Sequence, residues 1–318
     1  MIKKFVSIVI VLSAIIATTW GIVHRQFVRD WYIVHTTVVQ PAALTLEPRL
    51  DLTPKADFLY KASQPEILNG SSFNKACESV AREQSIVLGC YTQQHVYVYN
   101  VTDNRLQGVQ EVTASHELLH AVYDRMSPDD KKLVNTEVEQ AAAAITDPRL
   151  AETIAEYKKT EPGQVDNELH SILGTEYGVL PEKLEAHYAQ YFTDRAKIVA
   201  FSDAYQKQFT DLENQIKSYD HQRTVLRSQI EDNEKTLSNL ESQLNTKQNS
   251  LSSLRSSDVN AYNAQVPAFN ALVARYNSLV KIVSGQITQY NQIVVTRNSF
   301  STILNNLTEK LDSTYSAR

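Results

Sequence analysis

The chain has 318 residues, 42% hydrophobic and 21% charged, with a formal net charge of -5. That composition is globular and leaves room for more than one folded unit, and no Lys/Arg block lies beyond the extreme N-terminus, which speaks against a nucleic-acid partner. Glycine is scarce, at eight residues, while Ala, Gln, Leu and Ser are plentiful, so a mostly α-helical protein is expected.

In chain order, Lys3 and Lys4 precede a largely apolar run over residues 5–23. Its length is about what a bilayer core needs, so residues 1–23 read as an uncleaved transmembrane anchor. Trp20 interrupts the region where a signal-peptide cleavage site would fall. The two lysines then predict a cytoplasmic N-terminus, with the rest of the chain outside the cytoplasm, although Arg25 and Arg29 weaken the asymmetry. The alternative is a secreted chain released by signal cleavage. Residues 24–52, with Pro41 and Pro48, read as a tether with local structure. Thr53-Pro54 is a cap followed by proline at the first helical position, opening a helix to about Ser63. Cys77 and Cys90 are the only cysteines, and in an exported chain such a pair predicts a disulfide. It would join a helix over Ser72–Arg82 to a strand over Ser85–Tyr91. That strand and a second over His95–Val101, both β-branched and aromatic, predict a hairpin.

The next stretch carries chemistry. His116-Glu117-Leu118-Leu119-His120 lies in a segment, 111–125, without Gly or Pro. Residues four apart share a helical face, so His116 and His120 can reach one metal ion, and Glu117 can contact a metal-bound water. Val112, Leu119, Val122 and Met126 recur at helical spacing and give that helix an apolar side to bury. The pattern is that of zinc hydrolases, with Zn2+ as cofactor and Glu117 as the base. The form that takes a Gly and a third His from the same run is excluded, because Tyr123 and Met126 occupy those positions.

Ser127-Pro-Asp-Asp130 predicts a helix to about Ile145, and another follows from Pro148 to Lys159. Beyond Pro162-Gly163, Asn167-Glu168 followed by Leu173-Gly174-Thr175 resembles the helix that carries the third zinc ligand in thermolysin-like gluzincins. The two stretches that carry the resemblance are short. It implies an α+β zincin-like peptidase domain over 53–204, a protein or peptide substrate, and Glu168 as third ligand. It also implies a small sheet on the active-site helix whose edge strand can hold an extended substrate. In that family an Asp four residues after the ligand Glu supports a zinc histidine; here the position is Ile172, which leaves the supporting partner open. Glu176 is the alternative third ligand, with His170 and His187 behind it. Pro181 opens a helix over Glu182–Phe192, on which Tyr188 is a candidate catalytic residue for stabilising an oxyanion.

From Phe209 an apolar seam steps by three and four through Leu212, Ile216, Tyr219, Leu226, Ile230, Leu237, Leu240, Leu244, Leu251 and Leu254. Arg223, Asn233 and Lys247 are polar breaks in it. After Ser256-Ser257-Asp258 a second helix offers two registers, Val259, Val266, Val273, Val280, Ile287 and Val294, or Tyr262, Phe269, Tyr276, Val283 and Tyr290. Two matched helices joined by a short turn predict an antiparallel coiled-coil hairpin over 205–318, kinked by Pro267; pairing with another protein is the alternative. The whole reads as a membrane-anchored extracytoplasmic zinc peptidase. The alternatives are a coiled-coil adaptor built on an inactive zincin domain and a zinc amidase acting on cell-wall cross-links.

Overall fold

The computed structural model describes residues 2–78, 86–160 and 162–315, with side chains from residue 12 onward. Two compact units divide the chain: Met1–Gln208 together with Leu307–Arg318, and Phe209–Asn306.

In the first unit, α1 (Ile2–Val23) and α2 (Arg25–Thr36) come first. Among the described residues no helix is long and apolar enough to cross a membrane. This corrects the expected anchor over residues 1–23 and the single-pass placement drawn from it. Of the expected anchor, the side chains from residue 12 to Val23 are described. The remainder of the expected anchor lies outside the described side chains.

Residues 24–52 are not a tether. Beside α2 they form α3 (Pro41–Leu46) and a 3₁₀ turn, and Ile33, Ala43, Leu46 and Leu50 are buried. Asp30 of α2 is buried as well, accepting two hydrogen bonds from Arg125, at 2.9 and 3.0 Å. A proline-punctuated segment without clear periodicity conceals this, because its apolar residues are spread over short elements that each bury one or two.

The helix α4 (Pro54–Ala62) starts as expected, with Thr53 Oγ1 accepting from the Ala56 amide. A three-stranded sheet comes next in the order β1-β3-β2, built from β1 (Glu66–Leu68), β2 (Gly89–Thr92) and β3 (His95–Tyr99). β2 and β3 are the expected hairpin, antiparallel with Cys90 opposite Tyr97, and Gln93 and Gln94 both take positive φ at its turn. β1 pairs parallel to β3 and is too short to be read from sequence. α5 (Gly70–Ala76) is shorter than the helix expected over Ser72–Arg82, and β2 begins later than Ser85; residues 79–85 lie outside the described residues. The Cys77–Cys90 disulfide is formed.

The centre of the unit is α6 (Val109–Arg125). Val96 and Val98 of β3 share one core with Val112, Leu118, Leu119 and Val122 of α6, and each such aliphatic side chain contributes roughly 1.5–3 kcal/mol on burial. α7 (Pro128–Ala143), α8 (Pro148–Thr160), α9 (Val165–Glu176) and α10 (Glu182–Tyr188) complete the surround. α7 is capped as its sequence requires, Ser127 Oγ accepting from the Asp130 amide. α9 packs directly on α6 at Gly174, where a Cβ would collide with Leu119 Cδ1 and lie 2.8 Å from Tyr188 Cε1. The last turn of α9 is satisfied by Arg195, which donates to the carbonyls of Leu173, Tyr177 and Gly178 and pairs with Glu185.

Arg195 opens α11 (Arg195–Ser257), and α12 (Val259–Leu311) runs on through Pro267. In the second unit these helices pack antiparallel: Tyr219 stacks on Phe300 and Asn233 donates to Gln286, so partners run in opposite chain order. Leu226, Leu240, Leu251, Val283 and Ile293 are buried there, while Val280 and Ile287 are exposed. The aromatic register containing Val283 is therefore the one turned inward. The expected hairpin boundary shifts, because Leu307–Arg318 belong to the first unit, where Ser313 Oγ donates to Asn74 Oδ1 at 2.7 Å.

Candidate metal centre

α6 and α9 bring the site together. His116 and His120 stand one turn apart on α6, and Glu168 lies in the first turn of α9. Glu168 Oε1 is 3.4 Å from His120 Nε2 and Glu168 Oε2 is 3.6 Å from His116 Nε2. One ligand atom from each of the three lies within 4.8 Å of the others. At 3.6 Å the His116 contact is too long for a hydrogen bond, and Glu168 Oε2 is buried without a hydrogen-bond partner. Two imidazole nitrogens and a carboxylate brought this close, with that oxygen left unsatisfied, could hold a metal ion.

The supporting contacts favour the same reading. Asn167 Oδ1 lies 3.0 Å from His120 Nδ1, so Nδ1 carries the ring proton and Nε2 keeps its lone pair toward Glu168. Ser171 Oγ is 3.3 Å from the same nitrogen. The support of His120 thus comes from Asn167, while Ile172 is buried and apolar. Burial alone would raise the Glu168 carboxyl, but His120, His116 and a hydrogen bond from the Tyr157 hydroxyl together hold it below the usual carboxylate range. Glu117 is buried beside the triad; burial pushes its carboxyl up to about 8, with His120 opposing and Glu168 adding.

These groups line a cleft of about 750 Å³, which Gly89, Cys90 and Tyr91 of β2 and Tyr157 of α8 also border. Tyr157 is the residue that reading the sequence missed. The signal was present, since Leu150, Ile154 and Tyr157 follow one another at helical spacing and the first two are buried.

Of the remaining candidates, none joins the triad. Glu176 is held by Arg149 at 2.8 Å and by Gln206 at 3.1 Å. His170 is buried and lies 2.9 Å from His187, Nε2 to Nε2. Tyr188, expected as an oxyanion donor, is wholly buried and donates to the His170 carbonyl at 2.7 Å. It is a core residue, because its ring fills the space beside Gly174 and its hydroxyl is already committed. No family model matches the chain, and neither a curated protein nor a solved structure does.

Proposed function

We propose that the protein is a zinc-dependent peptidase in which His116, His120 and Glu168 hold the metal and Glu117 is the base. The observation that carries the reading is the meeting of these three side chains, with a second, buried carboxylate beside them, in a cleft bordered by an edge strand, β2. An edge strand can hold an extended peptide by main-chain hydrogen bonds, which favours a peptide substrate. Bound zinc would supply a Lewis acid and a water of near-neutral pKa. Glu117 takes the proton of the attacking water and returns it to the leaving amine. Asn167 holds the His120 ring in the tautomer that ligation needs.

The test combines elemental analysis with cleavage of dye-labelled casein. Glu117→Gln should keep the zinc and lose turnover by about 100-fold or more, because the amide cannot take a proton. His116→Ala and His120→Ala should lose the metal itself. Wild-type protein that binds no zinc refutes the reading. Zinc-loaded protein inert on casein and on cell-wall cross-links moves the weight to an adaptor role.

A further inference from the structure

Gly89 opens β2, where a glycine weakens the strand and brings no side chain to pack. Its backbone gives no reason for it, since its φ lies outside the left-handed region. Space does. A Cβ at this position would lie 2.6 Å from Glu117 Oε1, 2.8 Å from Glu117 Cγ and 2.6 Å from Thr113 Cγ2. Non-bonded carbons rest about 3.5–4.0 Å apart, so all three are collisions.

The strand cannot back away. Gly89 pairs with Val98, which is buried in the core, and the next residue, Cys90, is tied to Cys77. Nor can α6 retreat, for Ser115, Leu119 and Val122, on the side of the helix away from Thr113 and Glu117, are buried, Leu119 against Gly174 of α9. Between two fixed backbones, the part free to move is the Glu117 side chain from Cγ outward.

We infer that Gly89 is a positioning residue for the reaction: the bare backbone of β2 is the wall on which the Glu117 carboxylate rests, and it sets where that carboxylate points. The inference rests on reading Glu117 as the base. A methyl group at 89 is accommodated by swinging the Glu117 side chain from Cγ outward, which carries the carboxylate aside, at small cost to the fold and large cost to proton transfer. The collision with Thr113 is different in kind, since a β-branched side chain on a helix is stiff and its methyl resists displacement. That contact would register as lost stability. Thr113→Ser removes the methyl and leaves the Glu117 collision in place, so the two effects separate.

The experiment compares full-length Thr113→Ser with Thr113→Ser/Gly89→Ala, and Gly89→Ala alone beside them. Crystal structures of the first two should show the Glu117 carboxylate displaced by about 1 Å or more, a shift that costs on the order of 100-fold in turnover. Zinc content should be equal in all three. Melting temperature should fall in Gly89→Ala and return in the double variant, while turnover of dye-labelled casein stays low in both. A carboxylate that has not moved overturns the proposal, as does turnover that returns together with the melting temperature. Should Thr113→Ser and wild type both be inert on casein, the displacement alone decides, and the failure belongs to the peptidase reading.

Discussion

His120 takes its side-chain support from Asn167, beside Glu168, whereas Ile172 on the same helix is buried and apolar. Asn167→Ala should then leave the fold intact and weaken zinc binding by roughly 10–100-fold, read by competition with a chromogenic chelator. His187 offers a separate test. Burial, with Lys55 adding and Asp130 opposing, lowers its pKa to about 4. A histidine held neutral in the fold contributes stability that is complete above its unfolded pKa of about 6.5 and is lost as pH falls toward 4. Between about pH 7 and pH 4.5 this one group should cost about 2 kcal/mol. Urea titrations of wild type and His187→Asn should show a smaller loss over that range in the variant; equal slopes would remove His187 from the account.

Elements are joined here by a few buried polar contacts whose partners are distant in sequence. α2 is fastened to the end of α6 by Asp30 and Arg125, whose side chains are both nearly inaccessible. Arg125 also donates to the Tyr91 hydroxyl on β2, and Tyr91 donates to Asp124. Removing one partner leaves a buried guanidinium without its carboxylate, a defect that typically costs about 3–5 kcal/mol. Asp30→Ala should lower the denaturation midpoint accordingly, and because Tyr91 borders the cleft it should also impair casein cleavage. Loss of stability within about 0.5 kcal/mol would mean that α2 is not a fastened element.

At the scale of the molecule, the second unit is a separate folding problem. Its two helices bury one leucine-rich seam against one aromatic seam, and the polar break at Asn233 is answered by Gln286 from the other helix. Asp220 and Arg297 meet in the same way. Residues 209–306 expressed alone should therefore give a helical circular-dichroism spectrum and a melting temperature independent of concentration. A melting temperature that climbs with concentration would mean that the seams pair between chains.

The sequence by itself determined the helix that carries His116 and His120, the helix caps at Thr53 and Ser127, the β2–β3 hairpin, the disulfide and the two long helices, because each rests on local spacing or local turn chemistry. His116, Glu117 and His120 are legible for the same reason, since one helix places all three. The third corner was legible only as a choice among Glu168, Glu176, His170 and His187, groups that lie close together in the chain. Tertiary packing decided it. Gly174 lets α9 lie close on α6, which brings Glu168 to the two histidines, while Arg149 and Gln206 take Glu176 and His187 pairs with His170. Packing also turned Tyr188 into core, brought Tyr157 to the cleft and drew residues 24–52 into the fold. These outcomes depend on which surfaces meet, and that is set by shape and burial across long separations in the chain rather than by any local pattern.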